Sequence, residues 1–250
     1  KFNAEQLKSN GHKRRGVGIA PGKYTCFRVI HTGMRVRINI LDDASIQVST
    51  GGAEIGQGLL TKVGQCVCST LSEILNLDAP LDMDMIRFRE HDSGHNPSQG
   101  NAGGSTTSEA AVHAAEKACK ELAFRLKPWK KGSNNFQKIV ENAKNGLGGL
   151  PGFWHKVDFD VNGFYLPPVE EGLYPVFGSA VTEVEIDIWT GETKVLSTHI
   201  LMDSGKSLNP AIDIGQVEGA FVMGLGQVLL EKVLYDENNG KLKTNNTWTY

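Results

Sequence analysis

Arg35-Val36-Arg37-Ile38-Asn39-Ile40 alternates polar and apolar side chains without a break, and Ile46-Gln47-Val48-Ser49-Thr50 takes the alternation up again. A period of two puts every second side chain on the same face, so each run predicts a half-buried strand. Asp42-Asp43-Ala44-Ser45 between them has turn chemistry, and the two runs read as a hairpin. A glycine loop from Gly51 to Gly58 follows, then a helical stretch from Leu59 to Leu75. Hairpin, glycine loop and helix in that order point to an α+β protein rather than a doubly wound sheet.

Working outward, a short strand is expected around Met85 to Phe88. A second polar glycine loop, Ser98 to Gly104, leads to a helix from Thr107 to Leu126 that Pro128 ends. Alanines at 110, 111, 114, 115 and 118 suit it to close packing. Residues 130 to 175 have little periodicity and read as an irregular connection, with one short helix near Phe136 to Ala143. Alternation returns in Thr182-Glu183-Val184-Glu185-Ile186-Asp187-Ile188, where Glu183 and Glu185 read as water-facing carboxylates. Thr190-Gly191 turns the chain into a strand from Lys194 to Met202. A helix from Ile214 to Leu230 then shows Val217, Phe221 and Leu225 as its buried face. Upstream, residues 1 to 22, with Lys13-Arg14-Arg15 and Pro21-Gly22, read as a solvated entry segment.

The expected fold is therefore α+β: two similar layers of β-hairpin plus helix, with mixed sheets and helices packed on them. Residues 1–130 form the first expected subdomain, 131–175 the connection and 176–250 the second subdomain, truncated at its C-terminal end. Glu54-Ile55-Gly56-Gln57-Gly58 and Asp213-Ile214-Gly215-Gln216-Val217 share an acid, an isoleucine, a glycine and a glutamine in order, which suggests internal duplication.

The 26 Lys and Arg nearly balance 28 Asp and Glu, so no concentrated basic patch points to nucleic acid or a membrane surface. No apolar run approaches the roughly 20 residues of a membrane span. Cys66 and Cys68 are one residue apart on a helical stretch, which is not zinc-ligand spacing; with Cys26 and Cys119 they read as small buried residues of a reducing, cytoplasmic protein. His91 and His95 lie in a polar loop and read as solvated. The first residue is Lys1, and the chain reads as an excerpt of a longer one. The 29 glycines exceed the usual share and draw attention to the helix entrances.

There are three such entrances. Gly51-Gly52-Ala53-Glu54-Ile55-Gly56-Gln57-Gly58 lies between strand and helix, and matches neither the phosphate-binding P-loop nor the dinucleotide fingerprint. Its glycines would let backbone N–H groups approach an anion, although glycine-rich turns are common without one. Gln99-Gly100-Asn101-Ala102-Gly103-Gly104-Ser105-Thr106-Thr107-Ser108-Glu109 contains a capping-box pattern in Thr106 and Glu109. Its glycines and four consecutive hydroxyl residues equally suit a phosphate or polar-heterocycle cradle, and both readings stand. In the third, Asn209 to Gly219, Asp213 and Gln216 again resemble a capping box. Gln57 and Gln216 are neutral amides able both to donate and to accept. Glu54 and Glu218 are acid or base candidates that equally serve a helix dipole.

These words carry a family resemblance. Gly51 to Leu59 with Thr61-Lys62, Ala102 to Glu109, and Ser207 to Val222 resemble the cofactor loops of the molybdenum hydroxylases, the aldehyde oxidases and xanthine dehydrogenases, and the match runs from about residue 13 to the end. The resemblance implies an oxidoreductase that hydroxylates aldehydes to carboxylic acids with oxygen from water. Its alternatives are xanthine dehydrogenase-type purine hydroxylation and a non-catalytic phospho-ligand or cofactor-binding module. It implies a molybdenum-molybdopterin cofactor whose metal is held by the pterin dithiolene and by no protein side chain. Gly56, Gln57 and Gly58 would contact the pterin, with Gln57 near the metal's oxo group. Gly103, Gly104, Ser105, Thr106, Thr107 and Ser108 would hold the pterin and its phosphate, and Gln216 the pterin. FAD and 2Fe-2S clusters would belong to other domains, the full-length enzyme would be a homodimer, and the substrate a small aldehyde or N-heterocycle. The family's catalytic glutamate is expected beyond Tyr250, so none is assigned in this chain, which is expected to be inactive alone. Met223 stands where a glutamine is common, and Ala102 and Gly103 where Thr and Ala are frequent. Ser105 to Glu109 and Thr247 to Tyr250 look more like plant-type aldehyde oxidases.

Overall fold

The computed structural model describes residues 1–27, 33–89, 92, 101–145, 157–168 and 173–250. They form two compact units, Lys1–Gly205 and Lys206–Tyr250.

The first unit opens with a short helix, α1 (Phe2–Lys8), and strand β1 (Lys13–Phe27). The expected hairpin follows as β2 (Met34–Ile40) and β3 (Ile46–Thr50), paired antiparallel from Val36–Thr50 to Ile40–Ile46. Asp43 closes its turn by accepting from the backbone and the hydroxyl of Ser45. Next come α2 (Leu59–Leu75), β4 (Ile86–Phe88) after one turn of 3-10 helix, and α3 (Thr107–Leu126). Helix α4 (Phe136–Asn145) and strands β5 (Asp160–Tyr165), β6 (Leu173–Asp187) and β7 (Thr193–Asp203) complete the unit. The α+β class holds, and each hairpin is followed by a loop and a helix.

The strands form two sheets: a mixed one in the order β4-β3-β2-β5 and an antiparallel one in the order β1-β6-β7. The core belongs to the mixed sheet. Val36, Ile38 and Ile40 of β2 and Ile46 and Val48 of β3 point to one face, against Val63, Val67, Leu71 and Leu75 of α2 and the alanine face of α3. Ala110, Ala111, Ala114, Ala115 and Ala118 are all buried, and their small size lets the α3 backbone close on β5. At Gly163 of β5 a Cβ would sit 1.8 Å from the Ala114 carbonyl oxygen, so only glycine fits there.

Residues 1–22 are largely exposed, as expected of a solvated segment, but they are not irregular. Lys13–Phe27 is a strand paired along its whole length with β6, from Lys13–Asp187 to Phe27–Leu173. The basic run has partners: Lys13 Nζ and Arg15 Nε each donate to the Glu185 carboxylate at 2.9 Å. Glu185 is therefore buried rather than water-facing, and these two cations hold its carboxyl below the usual carboxylate range. Pro21 lies on the edge strand β1, and Pro175 on the part of β6 that precedes its pairing with β7; in both places a missing N–H is tolerated.

The described residues of 131–175 likewise include regular structure that an irregular connection would lack: α4, β5 and the start of β6. Strands do not sort by the expected bounds either. β1 pairs with β6 across the connection, and β5, inside it, joins the sheet of β2.

The second unit contains helix α5 (Pro210–Leu229) and a narrow turn closed by the Tyr235–Leu242 bridge. Val217, Phe221 and Leu225 are the half-buried positions expected of its apolar face, but no residue of α5 is fully buried. None of the described helices is long and apolar enough to cross a membrane.

Candidate cofactor-binding site

The first glycine loop and the second are brought together by close packing. Gly52 has φ +79°, and a Cβ there would meet the Thr107 Cγ2 at 2.6 Å and the Leu59 Cδ2 at 3.3 Å. The mixed sheet and its two helices thus deliver both loops to one edge of the first unit.

In the first loop the chain satisfies its own helix. Glu54 Oε1 accepts from the N–H groups of Gly56 and Gly58, and Oε2 from that of Leu60, each at 3.0 Å. Partial burial works to raise this carboxyl, but the N–H groups of Leu60, Gly58, Gly56 and Leu59 outweigh it and hold the pKa below the usual value. Glu54 therefore serves the N-terminus of α2 rather than acting as a general acid or base. Gln57 also folds back, accepting from Ile55 N at 2.7 Å and donating from Nε2 to the Ala53 carbonyl at 2.9 Å. Gly56, with φ +98°, has nothing within 4 Å of where a Cβ would stand.

The second loop is built differently. The expected capping box does not form: Thr106 makes no side-chain cap to α3, and its hydroxyl instead donates to the Phe27 carbonyl at 3.1 Å. Glu109 accepts from the Tyr174 phenol at 2.9 Å. Thr107 Oγ1 accepts from Gly103 N at 3.0 Å and donates to the Gly103 carbonyl at 3.4 Å. Both threonines are buried, so their hydroxyls shape the loop from inside. Ser105, at φ +60°, is exposed and Ser108 half-buried, and the space where a Gly103 Cβ would stand is open. The opening turn of a helix carries N–H groups with no intrahelical partner. On α2 these meet Glu54, whereas on α3, among the described residues, no side-chain cap covers them.

The third entrance is capped by Asn209, whose Oδ1 accepts from Ile212 N at 3.1 Å, with Pro210 opening the helix. Asp213 is thus inside the first turn, where its carboxylate accepts from the Ser207 hydroxyl. Gln216 lies within α5 and is exposed. The shared words of the two halves accordingly adopt different conformations, loop at Glu54–Gly58 and helix at Asp213–Val217.

Cys26, Cys68 and Cys119 are buried, and Cys66 is half-buried. Burial raises the thiols of Cys66, Cys68 and Cys119, Cys68 to about 11. Among the described residues no group of three His, Cys, Asp or Glu side chains could hold a metal ion. His91, His95, residues 98–100 and residues 28–30 lie outside the described residues. Sequence reasoning missed Tyr174 and Phe27 as supports of the second loop; their partners are 65 and 79 residues away.

Over its full length, residues 1–250, the chain matches the model of the molybdopterin cofactor-binding domain, and it belongs to that family. Among curated relatives, it is 39% identical over 247 residues to an indole-3-acetaldehyde oxidase of Arabidopsis thaliana, covering 97% of this chain and 18% of the relative. It is 36% identical over 252 residues to a probable aldehyde oxidase 2 of Oryza sativa subsp. japonica, covering 100% of this chain and 17% of that protein. The chain thus spans less than a fifth of the length of these relatives. Among solved structures, a reconstituted CO dehydrogenase from Oligotropha carboxidovorans superimposes with a TM-score of 0.75 at 19% identity, over 100% of this chain and 33% of that one. Quinoline 2-oxidoreductase from Pseudomonas putida 86 does so with 0.72 at 21%, over 100% and 34%. At that identity the likeness is one of fold.

Proposed function

We propose that this chain holds the molybdenum-molybdopterin cofactor of a molybdenum hydroxylase that oxidises aldehydes to carboxylic acids with oxygen derived from water. The observation that supports the reading is the contrast between helix entrances: α2 and α5 are capped by their own side chains, and α3, among the described residues, is not. A phosphorylated pterin fits the second loop by the chemistry of its donors. The first-turn N–H groups of α3 and the hydroxyls of Ser105 and Ser108 suit a phosphate, and the open space at Gly103 lets it approach the backbone. Gly103, Gly104, Ser105, Thr106, Thr107 and Ser108 hold the phosphate end, Thr106 and Thr107 through their backbone. Gly56, Gln57 and Gly58 lie along the pterin. In that role Gln57 exchanges its bonds to Ala53 and Ile55 for the ligand, a neutral amide that adds no charge. When bound, the cofactor supplies the two-electron redox chemistry, and the chain binds and orients it.

Similarity to proteins named as aldehyde oxidases supports aldehydes over purines as substrates. On this reading FAD, 2Fe-2S clusters and the catalytic glutamate lie elsewhere in a cytoplasmic homodimer, with residues 1–130 and 176–250 as the cofactor-binding parts. The test is dye reduction by the purified full-length protein with aldehydes and with hypoxanthine. Turnover of aldehydes in preference to hypoxanthine supports the reading; a folded, molybdenum-loaded protein that oxidises neither refutes it.

A further inference from the structure

The second loop has a support that its own sequence does not contain. β1 and β6 run side by side to Phe27–Leu173, with Cys26 opposite Tyr174 in the register one step before. From that ribbon end three hydrogen bonds reach the loop. Phe27 N donates to the Gly104 carbonyl at 3.4 Å, the Thr106 hydroxyl donates to the Phe27 carbonyl at 3.1 Å, and the Tyr174 phenol donates to Glu109 Oε2 at 2.9 Å. Gly104, Thr106 and Glu109 are thereby tied to the end of the ribbon.

We propose that Tyr174 is a positioning residue for the cofactor loop, fixing through Glu109 the first turn of α3 and the N–H groups it presents. The proposal rests on the cofactor-binding reading above. Its physical basis is directional. Glu109 sits in the first turn, where a carboxylate turned toward the helix N-terminus would compete with an incoming phosphate. The phenol holds that carboxylate aside. Tyr174 is suited to the task because burial, then the bond to Glu109, then Cys26 beside it all push its ionisation above the ordinary tyrosine range, so it stays a donor.

The experiment uses the full-length protein as purified, with two readouts: hydrogen exchange in peptides covering residues 103–109, β1 and β6, and pterin content per chain after desalting. Tyr174→Phe keeps the ring and deletes the donor. Exchange at 103–109 should rise about tenfold, as for loss of a hydrogen bond to a charged group, while β1 and β6 stay protected. Pterin content should fall at least about twofold. Glu109→Gln keeps an acceptor for the phenol and should retain both properties, and adding it to Tyr174→Phe should change nothing further. Unchanged exchange in Tyr174→Phe, or a rise spread equally over β1 and β6, overturns the proposal. So does Glu109→Gln behaving like Tyr174→Phe. A wild-type protein without pterin refutes the cofactor reading instead, and the exchange arm still decides whether Tyr174 positions the loop.

Discussion

Replacing Glu54 tests how the first loop is held. Its carboxylate accepts three backbone N–H groups at 3.0 Å, from Gly56, Gly58 and Leu60, and so fixes the loop containing Gln57 as well as the start of α2. Losing a helix N-cap costs about 1 kcal/mol and at most about 2. Three bonds argue for the upper end, but Glu54 is exposed and water replaces part of what is lost, so about 1 kcal/mol is expected for Glu54→Ala. That energy corresponds to roughly fivefold faster exchange of the Gly56, Gly58 and Leu60 amides, readable by amide exchange at neutral pH. The pH dependence follows from the lowered pKa. The stabilisation is fully present above the unfolded-state carboxylate value of about 4.3 and is lost as pH falls through the lower folded-state value. The wild type and Glu54→Gln should therefore converge in acid. Equal protection of the three amides in wild type and Glu54→Ala at neutral pH would refute this account of the loop.

Other expectations are as direct. Gly163→Ala forces a Cβ against the Ala114 carbonyl and should destabilise the first unit by about 3 kcal/mol in urea unfolding, whereas Gly103→Ala points into open space and should leave the unfolding midpoint unchanged. Glu185→Gln should loosen the Lys13 end of β1 in amide exchange; the wild-type advantage, set by a lowered carboxyl, is present above the unfolded carboxylate value and disappears as pH falls through the folded one. Thiol titration of the native protein should find Cys119 unreactive until unfolding, since it is buried and its pKa is raised well above the usual thiol value.

The parts of the fold legible in the sequence are those whose signal is local. Arg35–Ile40 alternates because one face of β2 is core, and the alanines of α3 recur because that helix closes on β5 at Gly163. β1 was not legible because Lys13-Arg14-Arg15 read as a solvated charge run and Pro21-Gly22 as a turn, and its strand depends on pairing with β6 more than 140 residues away. The bury-or-expose reading of Glu185 failed for the same reason: its cations, Lys13 and Arg15, lie 172 and 170 residues off. At the site, the glycine loops stood out, yet which entrance was already filled did not. An acid near a helix entrance can cap it, as Glu54 does from the loop before α2, or turn to a distant phenol, as Glu109 does from the first turn of α3, and nothing local to either names the partner.

The central claim is that the second loop, at the uncapped entrance of α3, receives the phosphate end of a molybdopterin. Pterin and molybdenum per chain, measured on the full-length protein and on Gly103→Val, test it most directly. The account predicts near-stoichiometric cofactor in the wild type and a large loss in Gly103→Val at an unchanged unfolding midpoint. Equal cofactor content in the two proteins, or none in a well-folded wild type produced with cofactor supplied, would contradict it.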